Sequence, residues 1–343
     1  MPDRSGKVSP GGAVCLAIVM AAVAGPSPAA ELWLHPLLPQ AVAKAAPSPA
    51  RRGARPVRPT PAAPAYPFPV ALAGESSIVE LTKGEHYPEP GAPIPPERID
   101  RSFVRLGGAR PMPLTSAKAD GAVTRLEANW AGQGLATLGV LLAPEAVTVE
   151  AGEFETFLRE AGATAAVAER TKRKETRKAA KTVTVESARS FAGISEARRT
   201  ASYVDPAKGV DEPLGFPLEI LAGAPPLLLR AGASFPATVL LDGVPAPGAV
   251  VKAHAPGEPP AFVTADGEGR VVLPLEREGR LLLATASVRR TAKADRARGE
   301  VWKKADWEVR RTTLELLVLP AAPVPAPAPA PKGKKPAPKK KPA

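Results

Sequence analysis

The chain has 343 residues, 44% of them hydrophobic but only 4% aromatic, with 43 prolines, three histidines and one cysteine. Its formal net charge of +12 sits mostly in two short stretches: Lys44, Arg51, Arg52, Arg55 and Arg58, and the C-terminal Lys332, Lys334, Lys335, Lys339, Lys340 and Lys341. The remainder is close to neutral, and the basic runs carry no interleaved aromatics for bases to stack on, which excludes nucleic acid as the expected partner.

Residues 1–30 read as a secretory signal peptide: Arg4 and Lys7, an apolar run over 13–24 closed by Gly25 and Pro26, and small residues up to Ala30. The run is far shorter than the roughly 20 residues of a membrane helix. Cleavage is expected after Ala30, with Ala24 as the second site, so the mature chain begins at Glu31 and has no transmembrane segment. Cys15 leaves with the leader, which excludes disulfides, thiolate metal sites and cysteine nucleophiles from the exported chain. The expected compartment is the periplasm or the medium.

"ELWLHP" then opens a first strand within residues 31–43, with Leu32, Trp33, Leu34 and Leu37 expected in the core. Residues 44–67 are too rich in proline and arginine to be ordered by burial and read as a disordered insertion. A β-rich N-terminal domain follows over 68–150. "SSIVELTKG" (76–84) and "DRSFVRLGG" (100–108) are strands, while "AVTRLEANW" and "LATLGVLLAP" resemble a strand pair joined through Ala131, Gly132, Gln133 and Gly134.

At residue 151 the period changes. Phe154, Phe157, Leu158 and Ala161 share one helical face, and Gly162 closes it. Helix formers continue through "AAVAERTKRKETRKAAK", and "ISEARRTASYV" offers another small apolar stripe in Ile194, Ala197, Ala201 and Val204. Residues 151–205 are therefore expected to be a helical connector with a solvated middle. Short alternating runs return over 213–320, a C-terminal β-sandwich, in which "ADGEG" (265–269) reads as a hairpin turn. Residues 321–343 form a Pro/Ala/Lys-rich disordered tail whose lysines could make weak contact with an anionic envelope surface.

The ordered set "ELWLHP", "KGEHYPEPGAPIPPERIDRSFVRLGG", "FETFLREAG", "GFPLEIL", "LLDGVPAPGAVVKAHAP", "TADGEGRVVLPL", "GRLLLATASV" and "DWEVRRTTLEL" resembles the bacterial family called domain of unknown function 4198. Its members are often labelled NikM-like periplasmic components of nickel or cobalt uptake. The resemblance implies an exported, mainly β protein with immunoglobulin-like or carboxypeptidase-regulatory-like sandwiches, here two joined by the helical segment. Aligned on Trp33 and Pro36, it places Ala30 where members commonly carry a histidine.

The nickel and cobalt label directs attention to Glu31, His35, Glu85 and His86 as metal ligands, since Ni(II) and Co(II) accept imidazole and carboxylate. In "GEHYPEP", His86 has Glu85 beside it and Glu89 three residues on, while His35 lies close to Glu31. No C-x-x-C or His i, i+4 pair accompanies them. His254, on the alternating "VVKAH", reads as solvent-facing. With no G-x-S-x-G, no P-loop and no calcium-loop spacing at Asp266 and Glu268, catalysis is not expected. The resulting expectation is a non-catalytic exported envelope protein that binds or scaffolds, with nickel or cobalt uptake as the alternative.

Overall fold

The computed structural model describes residues 30–38, 70–195 and 207–322. The expected leader up to residue 29, the insertion at 44–67 and the tail beyond residue 322 lie outside these, as do Ala197, Ala201 and Val204. The described chain is mainly β, with three sheets and short helices.

"ELWLHP" forms β1 (Glu31–Pro36), followed by β2 (Val70–Leu72), β3 (Ser76–Gly84) and the two-residue β4 (Ala92–Pro93). Next come β5 (Ile99–Leu106), β6 (Met112–Pro113), β7 (Thr115–Asp120), β8 (Val123–Asn129), β9 (Gly134–Leu142) and β10 (Glu145–Val149). Helix α1 (Ala151–Glu160) buries Phe154 and Leu158, and Gly162 beyond it takes the positive φ of 64° that lets the chain turn into α2 (Thr164–Lys172).

The helical expectation fails after α2. Residues 180–195 form β11 (Ala180–Ser195), the longest of the described strands. Its small and polar residues mimic a helix, but they lie between neighbours on both edges, and this pairing decides the conformation. Ile194 is accordingly a buried strand residue rather than part of a helical stripe.

The C-terminal part contributes β12 (Leu218–Ala222), β13 (Ser234–Leu241), β14 (Val244–Pro245), β15 (Val250–His254), β16 (Ala261–Thr264), β17 (Arg270–Pro274) and β18 (Gly279–Arg290). A 3-10 turn at Lys293–Arg298, the one-turn α3 (Glu300–Lys303) and β19 (Trp307–Val318) complete the order.

One sheet runs β1-β3-β8-β7, with β4 on β3. A second, of ten strands, follows β16-β15-β18-β19-β11-β9-β5-β6, with β10 and β2 also on β11. The third joins β12, β13, β14 and β17. The large sheet draws strands from both sides of 151–205, and the parallel pairing of β11 with β19 is its joint.

Two sequence-expected hairpins divide between sheets instead. β8 pairs in the first sheet while β9 pairs in the second, so 131–134 is a crossing between layers. Likewise β16 joins β15 and β17 joins β13. The turn between them is held by Asp266, whose Oδ1 accepts from the backbone N–H groups of Glu268 and Arg270, and its positive φ falls on Gly269, not Gly267.

Apolar layers fill both faces of the large sheet. One packs Leu34, Leu81 and Leu126 of the first sheet on Leu138, Val140 and Ala192. The other packs Ile220, Phe235 and Val271 of the third sheet on Val251, Leu283 and Leu314.

Candidate functional site

Alternation on β1 decides what meets what. Leu32 and Leu34 enter the first apolar layer, so Glu31, Trp33 and His35 share the opposite side, where they meet the C-terminal strands of the large sheet. A Glu31 carboxylate oxygen lies 3.1 Å from His254 Nε2 of β15, and Lys252 Nζ is 3.3 Å from the other. Trp33 packs edge-on against Tyr87 at a centroid distance of 5.3 Å, with Leu282 of β18 beneath. His35 Nδ1 lies 3.1 Å from Glu315 Oε2 of β19.

Glu315 is the hub of this end. Tyr87 donates its hydroxyl to Glu315 Oε1 at 2.8 Å, Arg280 donates Nε to the same oxygen at 2.8 Å, and the guanidinium rests 5.4 Å over the Tyr87 ring. Gly84 is required under this stack, because a Cβ there would lie 2.8 Å from the Trp33 ring and 2.5 Å from the Glu89 carbonyl oxygen.

A second buried carboxylate continues the seam. Lys83 Nζ donates to both Glu186 oxygens at 2.9 and 2.8 Å. Arg311, directly opposite Glu186 in the β11–β19 register, reaches it at 3.5 Å and lies against the Phe157 ring of α1. Burial alone would raise the carboxyl pKa values here, but the neighbouring donors and cations outweigh it. Glu31 is held below the usual range by His254, Lys252 and Arg311, Glu186 by Lys83 and Arg311, and Glu315 by His35 and Arg280. Tyr87 moves the other way, raised by burial and by the Glu315 charge.

Of three cavities among the described residues, the most voluminous adjoins the Glu315 hub. β11 and β19 pair as far as Arg189 and Leu314 and then part, β11 taking β2 as neighbour and β19 continuing with β18. Between them opens a cleft of about 850 Å3, with His35, Arg280 and Glu315 at its polar wall and Ile78, Phe191, Leu227 and Leu316 among its apolar ones. Two smaller hollows flank Phe157 above Arg311 and Glu186.

The structure separates the residues that the sequence grouped. Glu31 and His35 are four residues apart on one strand, roughly 13 Å, and each engages a different C-terminal partner. Glu85 and His86 are exposed on the turn after β3, while Tyr87 between them and Glu89 points inward. Among the described residues no group of three or more His, Cys, Asp or Glu side chains converges to hold a metal ion. His254 is not solvent-facing but bound to Glu31, and Leu37, expected in the core, is 41% exposed.

Sequence reasoning passed over Glu186, Arg280, Arg311 and Glu315. Their signal was available: charged residues inside runs otherwise apolar enough to be buried strands, as in "TVTVESARSF" and "RTTLELLVLP".

No curated protein matches the chain. Among solved structures it is similar to Salmonella alpha-2-macroglobulin reacted with methylamine, at 11% identity over 86% of this chain and 15% of that one, with a TM-score of 0.22. It is also similar to the fibronectin(III)-like modules of Clostridium thermocellum CbhA, at 10% identity over 74% and 92%, TM-score 0.18. A third likeness is to dimeric latent PorU from Porphyromonas gingivalis, at 9% identity over 73% and 19%, TM-score 0.16. The chain thus spans a small part of the macroglobulin, and likenesses this distant carry no functional argument. The family profile described as domain of unknown function (DUF4198) matches residues 90–289, more than half of the sequence, and the chain belongs to that family.

Proposed function

We propose that this chain is a non-catalytic exported envelope protein that binds an apolar or amphipathic ligand in the cleft between β11 and β19. The observation that carries the reading is the cleft itself, apolar on most sides and offering His35 and Arg280 as polar contacts at one wall. The ionisable groups beside it are already engaged with one another, which suits a rigid binding wall better than proton transfer. In this reading the two apolar layers are two immunoglobulin-like modules fused through the shared sheet, the leader is removed at Ala30, and the protein works in the periplasm or outside the cell. The C-terminal lysines add weak contact with an anionic surface.

Binding of an anilinonaphthalene-sulfonate probe to the full chain tests the cleft. Ile78→Trp and Leu227→Trp, which fill it from two different parts of its lining, should each weaken probe binding at least tenfold. Binding unchanged in both variants rejects the cleft as the site. N-terminal sequencing of the envelope fraction should begin at Glu31.

The Glu31–His254 contact favours a second reading, nickel or cobalt uptake, because it already joins one carboxylate and one imidazole. Lys252 competes for the same carboxylate. Calorimetric titration of the full chain with Ni(II) and Co(II) decides it, and binding weaker than millimolar rejects it.

A further inference from the structure

The far end of the large sheet gathers two basic stretches that the sequence keeps more than a hundred residues apart. Thr182 of β11 pairs with Trp307 of β19, which pairs with Arg290 of β18. The Asp306 N–H donates to the Lys181 carbonyl, and Thr291 N–H to the Asp306 carbonyl. Arg290 also grips Glu169 of α2 and Glu175 just beyond it. Residues 169–181 and 289–308 therefore form one blunt end, carrying fourteen Lys and Arg side chains against six Asp and Glu.

The ion pairs at this end leave eight of its cations over. Glu169, Glu175, Asp295, Glu300 and Glu308 are held by Arg173, Arg289, Arg290, Arg298 and Lys303; Asp306 is the sixth acid. Lys172, Lys174, Arg177, Lys178, Lys181, Lys293, Arg296 and Lys304 are all exposed, and none has a carboxylate partner among the described residues. Eight unpaired cations against one unpaired carboxylate, Asp306, contrast with a nearly neutral body, so this end carries a local positive field.

The geometry points to a docking surface for an anionic phospholipid membrane, with this blunt end resting on the headgroups. Three features select that partner. None of the eight cations lines any of the three cavities described above, so they are offered on the surface at this end and not inside one of those pockets. Trp302 and Trp307 are buried beneath Arg298 and Arg290, which leaves no ring for a base to stack on. The exposed large apolar side chains, Leu37, Ile78, Leu228, Val244, Phe262 and Val272, lie outside both segments, so contact is electrostatic, without insertion.

This surface lies at the opposite end of β19 from Leu319 and Pro320, after which the lysine-rich residues follow in sequence. Along β18 the register from Arg290 to Gly279 places the two ends roughly 36 Å apart. The cleft lies toward the tail end, at Arg280, so a membrane-bound molecule would present its cleft outward.

Sedimentation of the full chain with vesicles tests the assignment. Vesicles of phosphatidylglycerol and phosphatidylcholine should bind it, phosphatidylcholine alone should not, and raising salt from about 0.01 to about 1 M should release it. Two triple variants, Lys172→Gln with Arg177→Gln and Lys178→Gln, and Lys293→Gln with Arg296→Gln and Lys304→Gln, alter exposed side chains in different segments. Each should weaken binding at least tenfold, on the basis of about fivefold per charge at a membrane surface, and the two together should abolish it. Replacing the six tail lysines with glutamine should have the smaller effect. The proposal is overturned if both triples bind as wild type does, or if the tail variant alone abolishes binding. It is also overturned if a soluble polyuronate binds at least as tightly as the vesicles and loses its binding with the same six substitutions. Probe binding in the cleft should be unchanged in both triples, which separates failure here from failure of the cleft reading.

Discussion

The two apolar layers and the seam along β1 hold the same sheet by different means. In the layers, Phe235 and Leu138 are fully buried among other apolar side chains. Along the seam, three buried carboxylates, Glu31, Glu186 and Glu315, each face cations or imidazoles from another strand. The layers supply most of the stabilisation, because apolar burial is non-directional and additive in area. The seam supplies register, since each carboxylate accepts only the partner that alternation places opposite it. The opening motif "ELWLHP" is thus a clasp, with Glu31 and His35 pinned to β15 and β19 and Trp33 wedged between.

If that division is right, the two regions answer differently to acid. Phe235→Ala, in the layer under the third sheet, should cost about 3–5 kcal/mol in urea unfolding, and the cost should be the same at neutral and mildly acidic pH. Glu186→Leu should cost about 3 kcal/mol at neutral pH, because the half-buried Lys83 is left without its partner. Adding Lys83→Met should return most of that loss, since an apolar pair of similar volume tolerates the site. A double variant as unstable as the single one would move Glu186 out of the seam and into the essential core.

Wild-type stability should itself fall on acidification. The folded pKa values of Glu31, Glu186 and Glu315 lie below their ordinary 4.5. Their contribution is therefore whole above about pH 4.5 and is lost as the pH drops through the folded values, at about 1.4 kcal/mol per pH unit for each proton taken up. Glu315→Gln should flatten this descent, whereas Phe235→Ala should leave its slope unchanged.

How much of this was legible follows from the range of the forces involved. β3, predicted over 76–84, is found over Ser76–Gly84, and α1 was visible in the spacing of Phe154 and Leu158, because local alternation and periodicity record which side is buried. β11 was hidden: its alanines, serines and glycine carry little β preference, and only β9, β10, β19 and β2 beside it make it a strand. The hairpins at 131–134 and 265–269 failed for the same reason, since a tight turn reports a reversal but not which sheet receives the next strand. At the site, the sequence singled out Glu31 and His35 but paired them with each other. Strand geometry sends them to His254 and Glu315, 223 and 280 residues away, a relation no local pattern encodes.

The smallest expected effect is the sharpest test of the clasp. Lys252 is the outer partner of Glu31, 20% exposed, with Glu160 of α1 at 3.9 Å on its far side. Because solvent screens it, Lys252→Met should cost only about 0.5–1 kcal/mol at neutral pH, provided that His254 continues to hold the carboxylate. His254→Phe alone should likewise be tolerated while Lys252 remains. Removing both leaves Glu31 buried with only Arg311 nearby, so the double variant should lose more than the sum of the singles, by about 1–2 kcal/mol of coupling. A strictly additive pair would mean that Glu31 is held by its backbone position on β1 rather than by the C-terminal strands, and the seam would then end at Trp33.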